Sequence, residues 1–148
     1  MRDITAQVDR IIQASPAAIW RALTTPALLK SFFFDAEVES RFEVGALITM
    51  TGEHRGRRYQ DRGEILEVKP ERSLVFSHWS GLSGAPATPE NHHVVDFALE
   101  PREDGSTKVT LSQSNLTGGA RPSDLAHRAD YERNWAMVLE GLAKTVET

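Results

Sequence analysis

Two kinds of hydrophobic periodicity divide this chain. Its last segment, which we predict to be a helix over residues 124–147, carries apolar side chains at steps of three and four residues, so they share one stripe of a helix. These side chains are Tyr131, Trp135, Val138, Leu139, Leu142 and Val146. Most of the chain before this helix alternates apolar and polar residues instead, which is the period of a strand with one buried face. A long helix needs a large apolar partner, and the strands can supply it.

The alternation predicts a first strand over residues 4–13, followed by two short helices. The helices begin at Ser15-Pro16 and Thr25-Pro26, because Ser and Thr are good N-caps and Pro is tolerated at the first helical position. Turn-forming residues such as Asp104-Gly105 then separate successive strands. Six further strands are predicted, over residues 35–42, 46–51, 58–68, 73–79, 92–100 and 107–115.

This order of elements predicts an α+β fold of the helix-grip type. A curved seven-stranded antiparallel sheet would surround the long C-terminal helix, and the two short helices after strand 1 would close one side. The sequence contains no repeat and no interdomain linker, so we expect residues 1–148 to form one domain. A sheet that grips a single helix often leaves a cavity between them.

Composition narrows the range of functions. The 148 residues carry a formal net charge of −4, without the broad positive field needed for nucleic-acid or anionic-membrane binding. The absence of cysteine excludes disulfides, thiolate catalysis and cysteine-based zinc sites. The first residues lack the apolar core of a secretory signal, and no apolar stretch approaches the ~20 residues that span a bilayer. We therefore expect a cytoplasmic protein with neither a nucleic-acid nor a membrane partner.

Four stretches of the chain resemble a known family. They are IIQASPAAIWRALTTPALLKSFF, GEILEVKPERSLVFSHW, VDFALEPREDGSTKVTLSQSNL and NWAMVLEGLAKTVE, in the family's order and over nearly the whole chain. The chain resembles the Bet v 1/START-like superfamily, and most closely the small bacterial single-domain proteins related to the C-terminal domain of the Hsp90 ATPase activator. One departure is Ser31-Phe32-Phe33-Phe34, where the family often has a Trp, and we expect it to reshape the pocket mouth.

The resemblance implies a binding role. Members of the family bind hydrophobic or amphipathic small molecules, and some cyclise polyketides. We therefore expect a hydrophobic or aromatic small molecule between the sheet and the C-terminal helix, entering past residues 80–91 and the second short helix. A homodimer is left open. The resemblance also leaves a weaker alternative, a chaperone-associated interaction protein like the Hsp90 activator. We do not expect a chaperone partner, because the chaperone activator has an additional domain for which this chain has no room.

Strand parity gives the candidate lining of that cavity. Leu74, Phe76 and His78 share one strand face, and each such apolar row continues into a polar residue near the strand end. A few convergent polar groups in an apolar pocket are typical of a ligand site. The candidate lining residues are Phe32, Phe33, Phe76, His78, His93, Val95, Phe97, Leu111, Gln113, Tyr131, Trp135 and Val138.

Two other interpretations remain open. In an enzymatic alternative, cyclase or aromatase-like chemistry would use the same pocket, with His78 or His93 as acid or base. In a structural alternative, His78, His93 and Gln113 lie in water at strand ends, while Tyr131 and Trp135 are plain core. The sequence carries no motif for a catalytic residue or a cofactor. We also expect no metal site, because adjacent strand residues such as His92 and His93 point to opposite faces.

Overall fold

The strands form one antiparallel sheet. A computed structural model describes residues 3–147 and contains a seven-stranded sheet in the order β1-β7-β6-β5-β4-β3-β2. The strands are β1 (Ile4–Ile12), β2 (Glu37–Glu39), β3 (Leu47–His54), β4 (Arg57–Lys69), β5 (Ser73–His78), β6 (His93–Pro101) and β7 (Thr107–Asn115). Two short helices, α1 (Pro16–Leu23) and α2 (Pro26–Lys30), follow β1, and the long helix α3 (Pro122–Val146) ends the fold. The predicted α+β helix-grip architecture is confirmed.

The buried stripe of α3 is the predicted one. Trp135, Val138, Leu139 and Leu142 are buried in the main hydrophobic core, and Tyr131 and Val146 pack against it from its margin. Gly141 lies on the same side, where a Cβ atom would come within 2.8 Å of the Phe32 Cβ. The missing side chain therefore lets α3 approach the segment that follows α2.

Several boundaries differ from the sequence prediction by one to three residues, among them those of the second strand and of α3. The second strand covers only Glu37–Glu39 instead of residues 35–42, because Phe34, Asp35 and Phe42 all have positive φ and interrupt the extended backbone. Helix α3 begins at Pro122, two residues earlier than predicted. Its first turn is stabilised by Asp124, whose Oδ2 accepts a hydrogen bond from the backbone N–H of Arg121 at 2.7 Å.

The free edge of the sheet at β1 is partly covered by α3. The backbone N–H of Gln7 donates to Glu132 Oε2 at 2.9 Å, and that of Gln13 donates to Glu147 Oε2 at 2.7 Å. These contacts satisfy edge amides that would otherwise be open to another strand. No helix within residues 3–147 is long and apolar enough to cross a membrane.

Candidate functional site

Three rows of side chains cross the inner face of the sheet, and their polarity changes along the strands. The strand register aligns Leu74, Phe97 and Leu111 in one apolar row. The next row aligns Phe76 and Val95 with Gln113, and the last row contains His78, His93 and Asn115. The register therefore brings the polar strand ends together at one end of the sheet.

Helix α3 also changes along its length, from polar side chains at its start to apolar side chains further on. At its start, the buried carboxylate of Asp124 accepts a hydrogen bond from Asn115 Nδ2 at 2.8 Å. About two turns further on, the Tyr131 ring lies edge-on to His93, with 5.8 Å between ring centroids, and about one turn beyond it Trp135 reaches the sheet near Gln113. Leu139 and Leu142 then continue the apolar core.

An open cleft of about 360 Å³ lies at the polar end. The sheet and the loop after β5 contribute His78, His93, Gln113, Ser80, Ser83 and Asn91 to its lining. The opposite wall consists of Phe34, Tyr131, Asn134 and Trp135. The cleft is thus mixed in chemistry, with aromatic rings facing imidazoles, amides and hydroxyls.

The apolar end is nearly closed. A void of only about 10 Å³, close to the size of one water molecule, lies between the sheet and the short helices. Its lining is entirely apolar and includes Phe33, Phe76 and Phe97, together with Leu23, Leu29, Val38, Phe42, Ile48, Met50 and Leu74. An apolar space of this size gives neither a ligand nor a stably bound water the polar partners it would need.

The twelve candidate lining residues fall into three groups. His78, His93, Gln113, Tyr131 and Trp135 line the cleft. Phe33, Phe76 and Phe97 line the small void. Phe32, Val95, Leu111 and Val138 are buried in the packed core and line neither space.

An aspartate that sequence reasoning did not single out fixes His78. Asp61 Oδ2 lies 2.8 Å from His78 Nε2, and Asp61 Oδ1 accepts a hydrogen bond from the backbone N–H of Gly81 at 2.8 Å. One carboxylate therefore orients the imidazole and holds the start of the loop beside it. A carboxylate acceptor places the proton of the neutral ring on Nε2, which leaves Nδ1 as its basic nitrogen.

The two histidines of the polar row are electrostatically linked. Burial lowers the pKa of His93 from its ordinary value, and the neighbouring His78 lowers it further, against the opposing effect of Asp124. His93 is therefore a neutral imidazole at pH 7. Burial also raises the pKa of Tyr131, helped by Asp124 and Asp130, so this phenol stays protonated. His92, which faces away from this row, has its Nδ1 2.8 Å from the carbonyl oxygen of Thr88.

Gln113 and Trp135 form a buried pair at the base of the cleft. The indole Nε1–H of Trp135 donates to Gln113 Oε1 at 2.9 Å. Gln113 is only 2% exposed, and its Nε2 has no hydrogen-bond partner among residues 3–147. Because an indole N–H can only donate, the amide oxygen must face Trp135 and the NH₂ group must point elsewhere.

Phe34 is one of five lining residues absent from the sequence candidates, the others being Ser80, Ser83, Asn91 and Asn134. It is 50% exposed, has φ of +56°, and lies with its ring centroid 5.2 Å from that of Phe33 and 6.0 Å from that of Trp135. A bulky residue with positive φ stores backbone strain, which is common at functional sites. The run of three phenylalanines gives no signal for which ring turns outward.

The fold and the site can now be compared with known proteins. Residues 13–147 match the family described as "Activator of Hsp90 ATPase homolog 1-like protein". The chain belongs to this family. The resemblance noted in the sequence is therefore confirmed over nearly the whole chain.

Several solved structures are similar to this AHSA1-like chain. ChR145 from Cytophaga hutchinsonii is 37% identical, with a TM-score of 0.76 over 96% of this chain and 92% of that one. An Aha1 from Colwellia psychrerythraea, solved as a dimer, is 24% identical, with a TM-score of 0.71 over 96% and 95% of the two chains.

A third similar structure is longer than this chain. DynU16, from the dynemicin biosynthetic locus, is 21% identical, with a TM-score of 0.76 over 97% of this chain but only 47% of its own. The likenesses to DynU16 and to the Colwellia protein concern the fold alone. No curated protein matches the sequence.

Proposed function

We propose that this AHSA1-like protein binds a small hydrophobic or aromatic molecule in the cleft at the polar end of α3. The observation that carries the proposal is the cleft itself, about 360 Å³ of space with aromatic rings on one wall and a few polar groups on the other. Ligand sites commonly combine an apolar lining with a small number of placed polar groups, and this volume lies within their range.

The ring contacts support an aromatic ligand in particular. Phe34, Tyr131 and Trp135 all line the cleft, and the Phe34 and Trp135 ring centroids lie 6.0 Å apart, so a flat molecule would meet aromatic surface over much of its area. Offset or edge-to-face aromatic contacts contribute about 0.5–1.5 kcal/mol each beyond the area they bury. The expected occupant is therefore a planar molecule of a few rings.

Native mass spectrometry of freshly purified protein, compared with the denatured mass, is the direct test. We expect a retained small molecule, and the same spectrum reads out whether this chain is a homodimer, as the Colwellia relative is. The matched variants are Asn134→Trp, which fills the cleft, and Ala136→Trp, on the exposed side of the same helix.

The two variants define the outcome. We expect Asn134→Trp to lose the adduct and Ala136→Trp to keep it. If no adduct is retained and a panel of naphthalene- and anthracene-type probes leaves the melting temperature of the wild type unchanged, the proposal is wrong, because any ligand of the folded state raises that temperature.

A second candidate function is supported by the Asp61–His78 pair. A histidine oriented by a carboxylate beside a ligand cleft is an arrangement that supports general acid or base catalysis. In this case the bound molecule would be chemically changed by the protein, with proton transfer at His78. Asp61→Asn would then slow conversion while leaving affinity within about threefold, whereas recovery of the unchanged ligand after prolonged incubation with the wild type would exclude this function.

A further inference from the structure

The unpartnered amide of Gln113 defines what the ligand must carry. Resting on the proposed function, we infer that the ligand presents a hydrogen-bond acceptor oxygen of the carbonyl class, which receives a hydrogen bond from Gln113 Nε2. The donor is buried, belongs to a residue that lines the cleft, and has no partner among the described residues.

The orientation of this amide is determined by chemistry on both sides. A glutamine side chain can present either its oxygen or its nitrogen, and a rotation of 180° exchanges the two. Here the Trp135 indole N–H donates a hydrogen bond to the amide oxygen at 2.9 Å. The reversed amide would set an N–H against an N–H and lose that bond, so the hydrogen-bonding group that Gln113 has left for a ligand is a donor and not an acceptor.

The rest of the polar row supports the same selection. His93 is neutral at pH 7, so it contributes no positive charge that would call for a carboxylate or phosphate. The negative charge of Asp124 acts on His93 and would disfavour a carboxylate or phosphate bound beside that ring. An uncharged ketone, amide or quinone oxygen fits a neutral donor without a buried, unpaired charge.

The cost of an unpaired buried donor favours a ligand that carries the acceptor. A buried donor left without a partner is costly, so a ligand that lacks the acceptor leaves that cost in the complex. A ligand that supplies the oxygen removes that cost, and the two kinds of ligand therefore differ in affinity.

Two probes of the same shape test the inference. 2-Acetylnaphthalene has a ketone oxygen where 2-isopropenylnaphthalene has a methylene carbon, so the two differ almost only in the acceptor. We expect the wild type to bind the ketone about tenfold more tightly, from the net worth of one hydrogen bond to a buried donor. Titration followed by NMR should move the side-chain NH₂ signal of Gln113 with the ketone and leave it nearly in place with the hydrocarbon.

Four variants separate recognition from general damage. Gln113→Met should bring the affinity ratio of the two probes close to one. Trp135→Phe removes the bond that orients the amide and should also reduce the ratio. If Gln113→Met alone folds poorly, the double variant Gln113→Met/Trp135→Phe serves in its place, because it removes both polar partners. Ala136→Leu, on the exposed side of α3 and outside the cleft lining, is the control and should leave the ratio unchanged.

The outcomes are distinguishable. Equal affinities of the wild type for both probes, with binding at the cleft, would overturn the inference about Gln113 and leave the proposed function in place. An unchanged tenfold ratio in Gln113→Met would also overturn it, since the selecting donor would then lie elsewhere. Failure of both probes to bind the wild type would overturn the proposed function itself and with it this inference.

Discussion

The inner face of the sheet is covered differently at its two ends. At one end apolar side chains leave about 10 Å³, and at the other a mixed set of side chains leaves about 360 Å³. Trp135 lies at the boundary, with Phe33 of the closed end and Phe34 of the cleft each 6.0 Å from it. The contrast shows that one sheet can be tightly packed against the short helices and open beside α3, with Trp135 between the two regions.

The largest expected difference concerns truncation of a large ring at each end. Phe97→Ala at the closed end should lower the free energy of unfolding by about 3–5 kcal/mol, because the ring is fully buried and close packing limits collapse around the gap. Phe34→Ala, at a ring that is half exposed, should lower it by less than ~1 kcal/mol. Urea unfolding of the two variants measures both, and similar losses would mean that the cleft end is as tightly packed as the core.

A methyl group added at Gly141 should also destabilise the protein. Gly→Ala in a helix normally stabilises by about 1 kcal/mol, but Gly141→Ala should destabilise by about 1–3 kcal/mol. The reason is steric, since the added carbon would lie 2.8 Å from the Phe32 Cβ. Asn134→Ala, exposed at the cleft end of the same helix, is the control and should be neutral or slightly stabilising. A stabilised Gly141→Ala protein would show that α3 can move away from Phe32.

The sequence predicted the two ends unequally. The burial of apolar side chains in the core could be predicted from periodicity. The helical stripe with Val138, Leu139 and Leu142 is a local pattern, and so is the alternation of apolar and polar residues around Phe97 and around Leu111. The histidines and Gln113 could be placed on the inner face by the same parity. Their meeting in one cleft depends on strand register, which the pattern of a single strand does not determine.

Other parts of the site had no local signal. Asp61 contacts a histidine 17 positions away, and nothing in the alternation of β4 marks it as a partner of His78. Phe34 turns outward because its backbone enters the left-handed region, whereas three successive phenylalanines predict only burial. The Trp135–Gln113 bond joins residues 22 positions apart, and the unpartnered amide nitrogen is a consequence of that bond.

Backbone strain at the cleft end gives a smaller and more specific prediction. Phe34 has φ of +56°, so Phe34→Gly should be more stable than Phe34→Ala by about 0.5–1 kcal/mol, because glycine adopts this conformation without a Cβ penalty. In the control, glycine should be less stable than alanine. Ala136→Gly on the exposed side of α3 should lower the free energy of unfolding by about 1 kcal/mol. Thermal unfolding of the four proteins tests this. An alanine variant at position 34 that is more stable than the glycine variant would show that the strain is absent in solution.

The smallest expected effect is a pH dependence confined to the cleft end, where His93 titrates. Burial, followed by His78, lowers the pKa of His93 below its ordinary value of 6.5, so the unfolded chain binds more protons than the folded one just below that pH. The stability contributed by neutral His93 is therefore complete above pH ~6.5 and declines as the pH falls toward the folded pKa.

Substitution isolates this contribution. His93→Gln should flatten the free energy of unfolding between about pH 7.5 and 5.5, whereas Phe97→Leu at the closed end should shift the curve without changing its slope. The carboxyl groups with a lowered pKa do not titrate in this pH window. Hydrogen bonds lower the pKa of Glu67 and of Asp104, so the stability that these carboxylates contribute is lost only below their ordinary pKa values of 4.5 and 3.8. Urea unfolding across this range provides the measurement. Parallel curves for the wild type and His93→Gln would mean that His93 is as well solvated in the fold as in the unfolded chain. The polar side of the cleft would then be hydrated, and the selection of a neutral ligand would lose its basis.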